Sequence, residues 1–145
     1  MIVSGIIHNR VFVSAIIAWA IAQALKVIIV ALTSKRFDYT RLVGSGGMPS
    51  SHSALVMALS TKTGIVEGFS STSFAIALCF ALVVMYDAAG VRRAAGNQAR
   101  ILNNIMKDLS QKKPIEDKKL KELLGHTPVE VFAGAVLGIA VGILV

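Results

Sequence analysis

Residues 11–34 read VFVSAIIAWAIAQALKVIIVALTS, and this run decides the fold class. It contains one charged residue, Lys26, and reaches the length of about twenty residues that an α-helix needs to cross a hydrocarbon core. We therefore predict a membrane-spanning helix. The run lacks the small-residue cleavage signal of a secretory leader, so we expect it to stay in the mature chain.

The rest of the chain also separates apolar runs from charged segments. Shorter apolar runs occupy residues 53–66, 71–86 and 129–145. Of the 145 residues, 54% are hydrophobic, whereas a soluble helical protein places polar residues along every helix. We predict an all-α integral membrane bundle of about four to five helices, in which residues 1–145 form a single domain in the cell membrane.

Basic residues concentrate at one end of this predicted bundle. If the first run crosses once and the next two return, the loop at 35–49 and the polar segment at 92–125 share a side. All fifteen Lys and Arg residues fall there except Arg10, Lys26 and Lys62. The positive-inside rule places this side in the cytoplasm. A basic surface could also attract nucleic acid. In a membrane protein, however, basic residues concentrate more commonly on the cytoplasmic surface that faces lipid. We therefore expect membrane lipids and no nucleic acid as partners.

The segment at 92–125 is a polar helical insertion between membrane helices. Its first half repeats apolar residues at helical spacing: Ile101, Leu102, Ile105, Met106 and Leu109. Pro114 can open a second helix that Gly125 closes. We predict an amphipathic helical hairpin on the cytoplasmic face.

Small residues mark the last apolar run. Gly134, Gly138 and Gly142 are four apart, so they form one stripe that favours tight helix packing or a homodimer.

The single cysteine, Cys79, lies within an apolar run. Because there is no second cysteine, one chain can form neither a disulfide nor a thiol metal site. We expect neither a metal nor a cofactor.

Residues 46–53, GGMPSSHS, carry the first group of chemically active side chains. Proline suits a first helical turn, serine suits a helix cap, and the free N–H groups of a helix start bind anions such as phosphate. Candidate phosphate-binding residues are Gly47, Ser50 and Ser51. His52 would stand beside the anion and donate a proton to a leaving oxygen. The alternative is a helix cap with an incidental histidine.

Residues 125–131, GHTPVEV, open the last apolar run in the same way. His126 and Glu130 are four apart, so a helix that includes both places them on one face. The carboxylate can then hold one imidazole nitrogen while the other attacks phosphorus. The alternative is an ordinary ion pair between neighbouring turns.

Together the two motifs resemble those of the type 2 phosphatidic acid phosphatase and vanadium haloperoxidase superfamily. PSSH at 49–52 is similar to its PSGH motif, and GHTPVEVFAGAVLG at 125–138 is similar to its final motif. The best match is its divergent branch of small membrane proteins. The resemblance extends over nearly the whole chain and includes YDAAGVRR at 86–93.

The resemblance implies a two-step phosphate transfer. His126 would be the nucleophile that forms a phosphohistidine, Glu130 would orient it, and His52 would protonate the leaving group. Cations must also stabilise the phosphoryl oxygens. The candidates are Lys35, Arg41, Arg92 and Arg93.

Several positions depart from the superfamily pattern. The superfamily also has a motif of a lysine, six intervening residues, an arginine and a proline; here Lys35 and Arg41 are one residue closer together, and Leu42 replaces the proline. Leu120 stands six positions before His126, where an arginine is usual. The acid is Glu130 instead of aspartate. Most lipid phosphatases of this superfamily have an extracytoplasmic site, whereas the charge bias here points inward.

Lys26 is a further candidate, because an ionisable residue within a span is often functional. Its side chain can reach the phosphate site from within the membrane or extend to the membrane interface.

The sequence leaves two functions open. The first is a membrane phosphatase for a lipid phosphate or diphosphate, or for a small phosphomonoester. The second is a non-catalytic membrane protein that keeps the fold and an anion pocket for binding, transport or assembly.

Overall fold

The computed structural model describes residues 2–34, 47–110 and 126–145, and these ranges are helical with short connections and no strand. The helices in chain order are α1 (Ile2–His8), α2 (Arg10–Ser34), α3 (Ser51–Glu67), α4 (Thr72–Ala89), α5 (Val91–Ser110) and α6 (Pro128–Leu144). Helices α2, α3, α4 and α6 coincide with the four apolar runs. The predicted all-α bundle is therefore confirmed.

Two helical stretches are long and apolar enough to cross a membrane. They are Arg10–Leu32 in α2 and Thr72–Lys107, which runs through α4 and α5. Helix α6 is equally apolar in character but shorter. Length and composition thus agree with the membrane assignment made from the sequence.

In contrast to a soluble protein, the bundle exposes large apolar side chains and buries small ones. Exposed large residues include Ile28 at 52%, Val83 at 66% and Phe132 at 71%. The buried core is built largely from alanine: Ala18, Ala22, Ala54 and Ala58, with Val141. Small residues at helix contacts and large apolar residues outside are typical of a bundle surrounded by lipid.

Helix α3 is the centre of the bundle, with α2, α4 and α6 packed around it. Helix α6 runs parallel to α3 and approaches it through the glycine stripe. A Cβ atom on Gly134 or Gly138 would strike the backbone oxygen of Ser50 or Ala54, respectively. All three stripe glycines are buried, so the stripe serves packing within the chain. Homodimer formation stays a prediction, but this face is not available for it.

Helix α4 continues almost directly into α5, whereas the sequence analysis separated the apolar run at 71–86 from the polar segment at 92–125. Only Gly90 separates the two helices, and its N–H donates to the Tyr86 carbonyl oxygen over 2.8 Å. Helix α5 packs on α4 alone among the described helices, and the apolar residues predicted for its face are exposed. The second helix of the predicted hairpin lies outside the described residues. Helix α1 is an addition to the elements that the sequence analysis predicts.

Candidate active site

The first motif forms the start of α3. Ser50 is the N-cap residue, and its Oγ accepts hydrogen bonds from the Ser53 N–H over 3.4 Å and from the Ser53 hydroxyl over 3.1 Å. The Ser50 hydroxyl is therefore engaged in capping, as serine commonly is at this position. Gly47 precedes the cap with a φ of +88°, a backbone conformation that favours glycine.

The second motif forms a capping box at the start of α6. Thr127 Oγ1 accepts from the Glu130 N–H over 3.3 Å, and Glu130 Oε2 accepts from the Thr127 N–H over 3.0 Å. Pro128 occupies the first turn, where a missing N–H costs nothing. The spacing T-x-x-E is the sequence signature of this cap. It fixes the Glu130 carboxylate against the backbone before any ligand binds.

The same carboxylate oxygen contacts the imidazole. Glu130 Oε2 lies 3.0 Å from His126 Nδ1. Reaching both the Thr127 N–H and the ring requires a side chain that bends back over the helix start, and glutamate is the acid that the capping box uses. The replacement of the superfamily's aspartate by glutamate thus has a structural reason.

Backbone hydrogen bonds join the two motifs. The Ser50 N–H donates to the Glu130 carbonyl oxygen over 2.9 Å, and the His126 N–H donates to the Ala88 carbonyl oxygen over 3.0 Å. The absence of a side chain at Gly134 permits the first of these approaches. The starts of α3 and α6 and the end of α4 therefore meet at one end of the bundle.

At this meeting point the two imidazoles lie next to each other. The ring centroids of His52 and His126 are 6.3 Å apart, with an angle of 60° between the ring planes. His126 is only 2% exposed, whereas His52 is exposed. The structure thus brings the predicted nucleophile and the predicted general acid together, with the first inside the bundle and the second at its surface.

Lys26 completes this arrangement from α2. Its Nζ donates to Ser51 Oγ over 3.3 Å, and a Cβ on Gly47 would lie 3.4 Å from its Cγ. The side chain is 2% exposed, so it does not extend along the outside of the bundle to the interface. The Glu130 carboxylate is near enough to act on the ammonium group electrostatically. A buried cation therefore lies beside the start of α3, where the sequence left two options open.

The sequence contains a signal for the direction in which Lys26 points. Ser14, Ala18, Ala22 and Lys26 are spaced four apart in α2, and all four are buried. A stripe of small residues marks the face of a membrane helix that packs on other helices. Lys26 continues that stripe and so points inward.

Four further cations are predicted from the sequence: Lys35, Arg41, Arg92 and Arg93. Lys35 and Arg41 lie outside the described residues, as does Leu120. Arg92 and Arg93 belong to the first turn of α5, directly after the α4 end that accepts the His126 N–H. Across residues 2–34, 47–110 and 126–145, no group of three His, Cys, Asp or Glu side chains could hold a metal ion.

Comparison with known proteins shows the family to which the chain belongs. The model of the Divergent PAP2 family matches residues 7–141. An uncharacterized membrane protein of Bacillus subtilis (strain 168), YuiD, is 41% identical over 145 aligned residues, which cover 92% of each chain. No solved structure matches the chain. Like its relative, the chain is a membrane protein, and with the family model matching nearly its full length it belongs to the Divergent PAP2 family.

Proposed function

We propose that the chain is a membrane phosphatase that hydrolyses a phosphate ester through a phosphohistidine at His126. The main support is the pair of imidazoles 6.3 Å apart, of which one is held by a fixed carboxylate. A nucleophile oriented by a third group, with a proton donor close to it, is the arrangement that covalent phosphoryl transfer requires.

In the first step, Glu130 accepts the hydrogen bond from Nδ1–H of His126, which keeps the lone pair on Nε2. Nε2 attacks phosphorus while the bond from phosphorus to the ester oxygen breaks. His52 gives a proton to that leaving oxygen, so the alcohol departs neutral. The products of this step are the alcohol and the N-phosphorylated His126.

In the second step, His52 takes a proton from water, and the water oxygen attacks the phosphohistidine. The bond from phosphorus to Nε2 breaks, releasing inorganic phosphate and restoring His126. Lys26 and the N–H groups at the start of α3 supply positive charge to the phosphoryl oxygens in both steps. Lys26 takes the role that the resemblance assigned to an arginine at the position of Leu120.

The substrate we propose is a lipid phosphate or diphosphate, or a small phosphomonoester, at the cytoplasmic face. The charge bias of the loops supports this orientation. The experiment uses purified full-length chain in lipid nanodiscs with three probes: phosphatidic acid, an isoprenyl diphosphate and p-nitrophenyl phosphate. Released phosphate is measured for each, and mass spectrometry of quenched samples tests for a phosphoryl group on His126.

His126→Asn should abolish turnover and the phosphorylated peptide. The matched control is His8→Asn, an exposed histidine at the opposite end of the bundle, which should behave as the unmodified chain does. Turnover that persists in His126→Asn refutes the nucleophile assignment. Vanadate binding without turnover of any probe would instead identify a non-catalytic anion-binding protein.

A further inference from the structure

A groove lies at the end of the bundle opposite the two histidines. In the described part of the chain α2 and α4 do not contact each other, so they form two walls and α3 forms the floor. The cavity has a volume of about 710 Å³, which is within the range of small-molecule sites. Half of its twelve lining residues are apolar: Val11, Leu59, Val66, Ile76, Ala77 and Phe80.

Two opposite charges stand at the mouth of this groove. Arg10 is the first residue of α2, and Glu67 is the last residue of α3. Both line the cavity and both are exposed. Within the described residues neither has an ion-pair partner. Among those residues, no opposite charge neutralises either side chain.

Both charges are also placed against the dipoles of their helices. The N-terminus of a helix carries partial positive charge and the C-terminus partial negative charge. Arg10 therefore adds positive charge to an already positive end of α2, and Glu67 adds negative charge to an already negative end of α3. An anion beside Arg10 and a cation beside Glu67 would each relieve this unfavourable arrangement.

A single molecule that matches the groove must combine an anion, a cation and a long apolar part. We propose that this groove binds one membrane lipid with a phosphoethanolamine headgroup. The phosphate lies at Arg10 and the start of α2, the ammonium group lies at Glu67 and the end of α3, and an acyl chain lies along α3. A primary ammonium donates hydrogen bonds to a carboxylate, which a choline group cannot do.

This site is separate from the imidazoles and does not depend on the proposed phosphatase activity. The test uses native mass spectrometry of the purified full-length chain titrated with three lipids of identical acyl chains: phosphatidylethanolamine, phosphatidylcholine and phosphatidylglycerol. We expect one phosphatidylethanolamine to bind at least about tenfold more tightly than the other two, the difference typical of one charged hydrogen bond. Equal affinity for the three lipids overturns the headgroup assignment.

Variants locate the site. Ala77→Trp fills the groove and should abolish the single tight binding event, whereas Ala75→Trp, on the exposed side of the same helix, should preserve it. Glu67→Gln leaves the groove open and should remove the preference over phosphatidylcholine. Arg10→Gln should weaken all three lipids because each carries a phosphate. Equal loss in Ala75→Trp and Ala77→Trp, or an unchanged preference in Glu67→Gln, overturns the proposal.

Discussion

The contact between α3 and α6 depends on glycine at two positions, and alanine there should destabilise both the fold and the site. A Cβ on Gly134 or Gly138 would lie less than 3.0 Å from a backbone oxygen of α3. Backbone cannot rotate away as a side chain can. To restore an ordinary contact, α6 must retreat by roughly 1 Å, a gap that forfeits a quarter to a half of the dispersion energy of the atoms it separates.

Two opposing effects determine how much each alanine substitution changes the free energy of unfolding. Alanine is more favourable than glycine within a helix by about 0.5–1 kcal/mol, whereas overpacking a close contact costs about 1–3 kcal/mol. Because the added Cβ would meet backbone, we expect an overpacking cost in the upper part of its range. The free energy of unfolding should therefore fall by about 1–2 kcal/mol. Gly142→Ala should cost less, since its nearest new neighbour would be the Thr61 Cβ at 2.9 Å.

The assay is unfolding of each variant in mixed micelles by increasing SDS, followed by circular dichroism. Gly5→Ala is the control, because nothing lies within 4 Å of a Cβ there, and it should be neutral or slightly stabilising. Activity should separate the two buried glycines. Gly134 lies beside Ser50, whose N–H binds Glu130, so Gly134→Ala should reduce turnover more than Gly138→Ala does. If Gly134→Ala and Gly5→Ala have the same free energy of unfolding, the close contact between α3 and α6 at Gly134 is refuted.

Three further changes test the residues of the site. Lys26→Met should weaken vanadate binding about 10- to 100-fold, the effect of losing a charged hydrogen bond, while Lys62→Met should leave it unchanged; titration calorimetry measures both. Thr127→Ala should lower the free energy of unfolding by about 1 kcal/mol through loss of the cap, and Thr127→Ser should preserve it in the same SDS assay. Glu130→Gln still accepts from the Thr127 N–H but no longer selects the proton position on His126. Turnover should fall by about a hundredfold or more with little change in stability, as steady-state kinetics and SDS unfolding together will reveal.

Helices α2, α3, α4 and α6 and both motifs could be predicted from the sequence because their signals are local. Apolar length defines a span, and proline or serine before an apolar run defines a helix start. The meeting of His52 and His126 could not be predicted in this way. The two residues are 74 positions apart, and their contact depends on α3 and α6 packing in parallel and in register. The motifs indicated only that both helices begin at the same end of the bundle. The distance between the rings required the structure.

The direction of Lys26 was difficult to predict for a physical reason. Helix α2 is apolar on all sides, so no polar face indicates how the helix is rotated about its axis. In a soluble protein the hydrophobic side faces inward, but in lipid large apolar side chains face outward. The informative feature is then side-chain size, and the positions of Ser14, Ala18 and Ala22 carry it.

The same spacing recurs in α3, where Ser50, Ala54, Ala58 and Lys62 are four apart and all buried. Helices α2 and α3 are antiparallel, so the two stripes pack together and their lysines lie at opposite ends of the bundle. Burying an ammonium group in a membrane protein is costly unless a partner stabilises it. Lys26 has such a partner in Ser51, within reach of the Glu130 charge and beside the two imidazoles. Of the two buried lysines, Lys26 is the one whose charge lies where a phosphoryl group would need it.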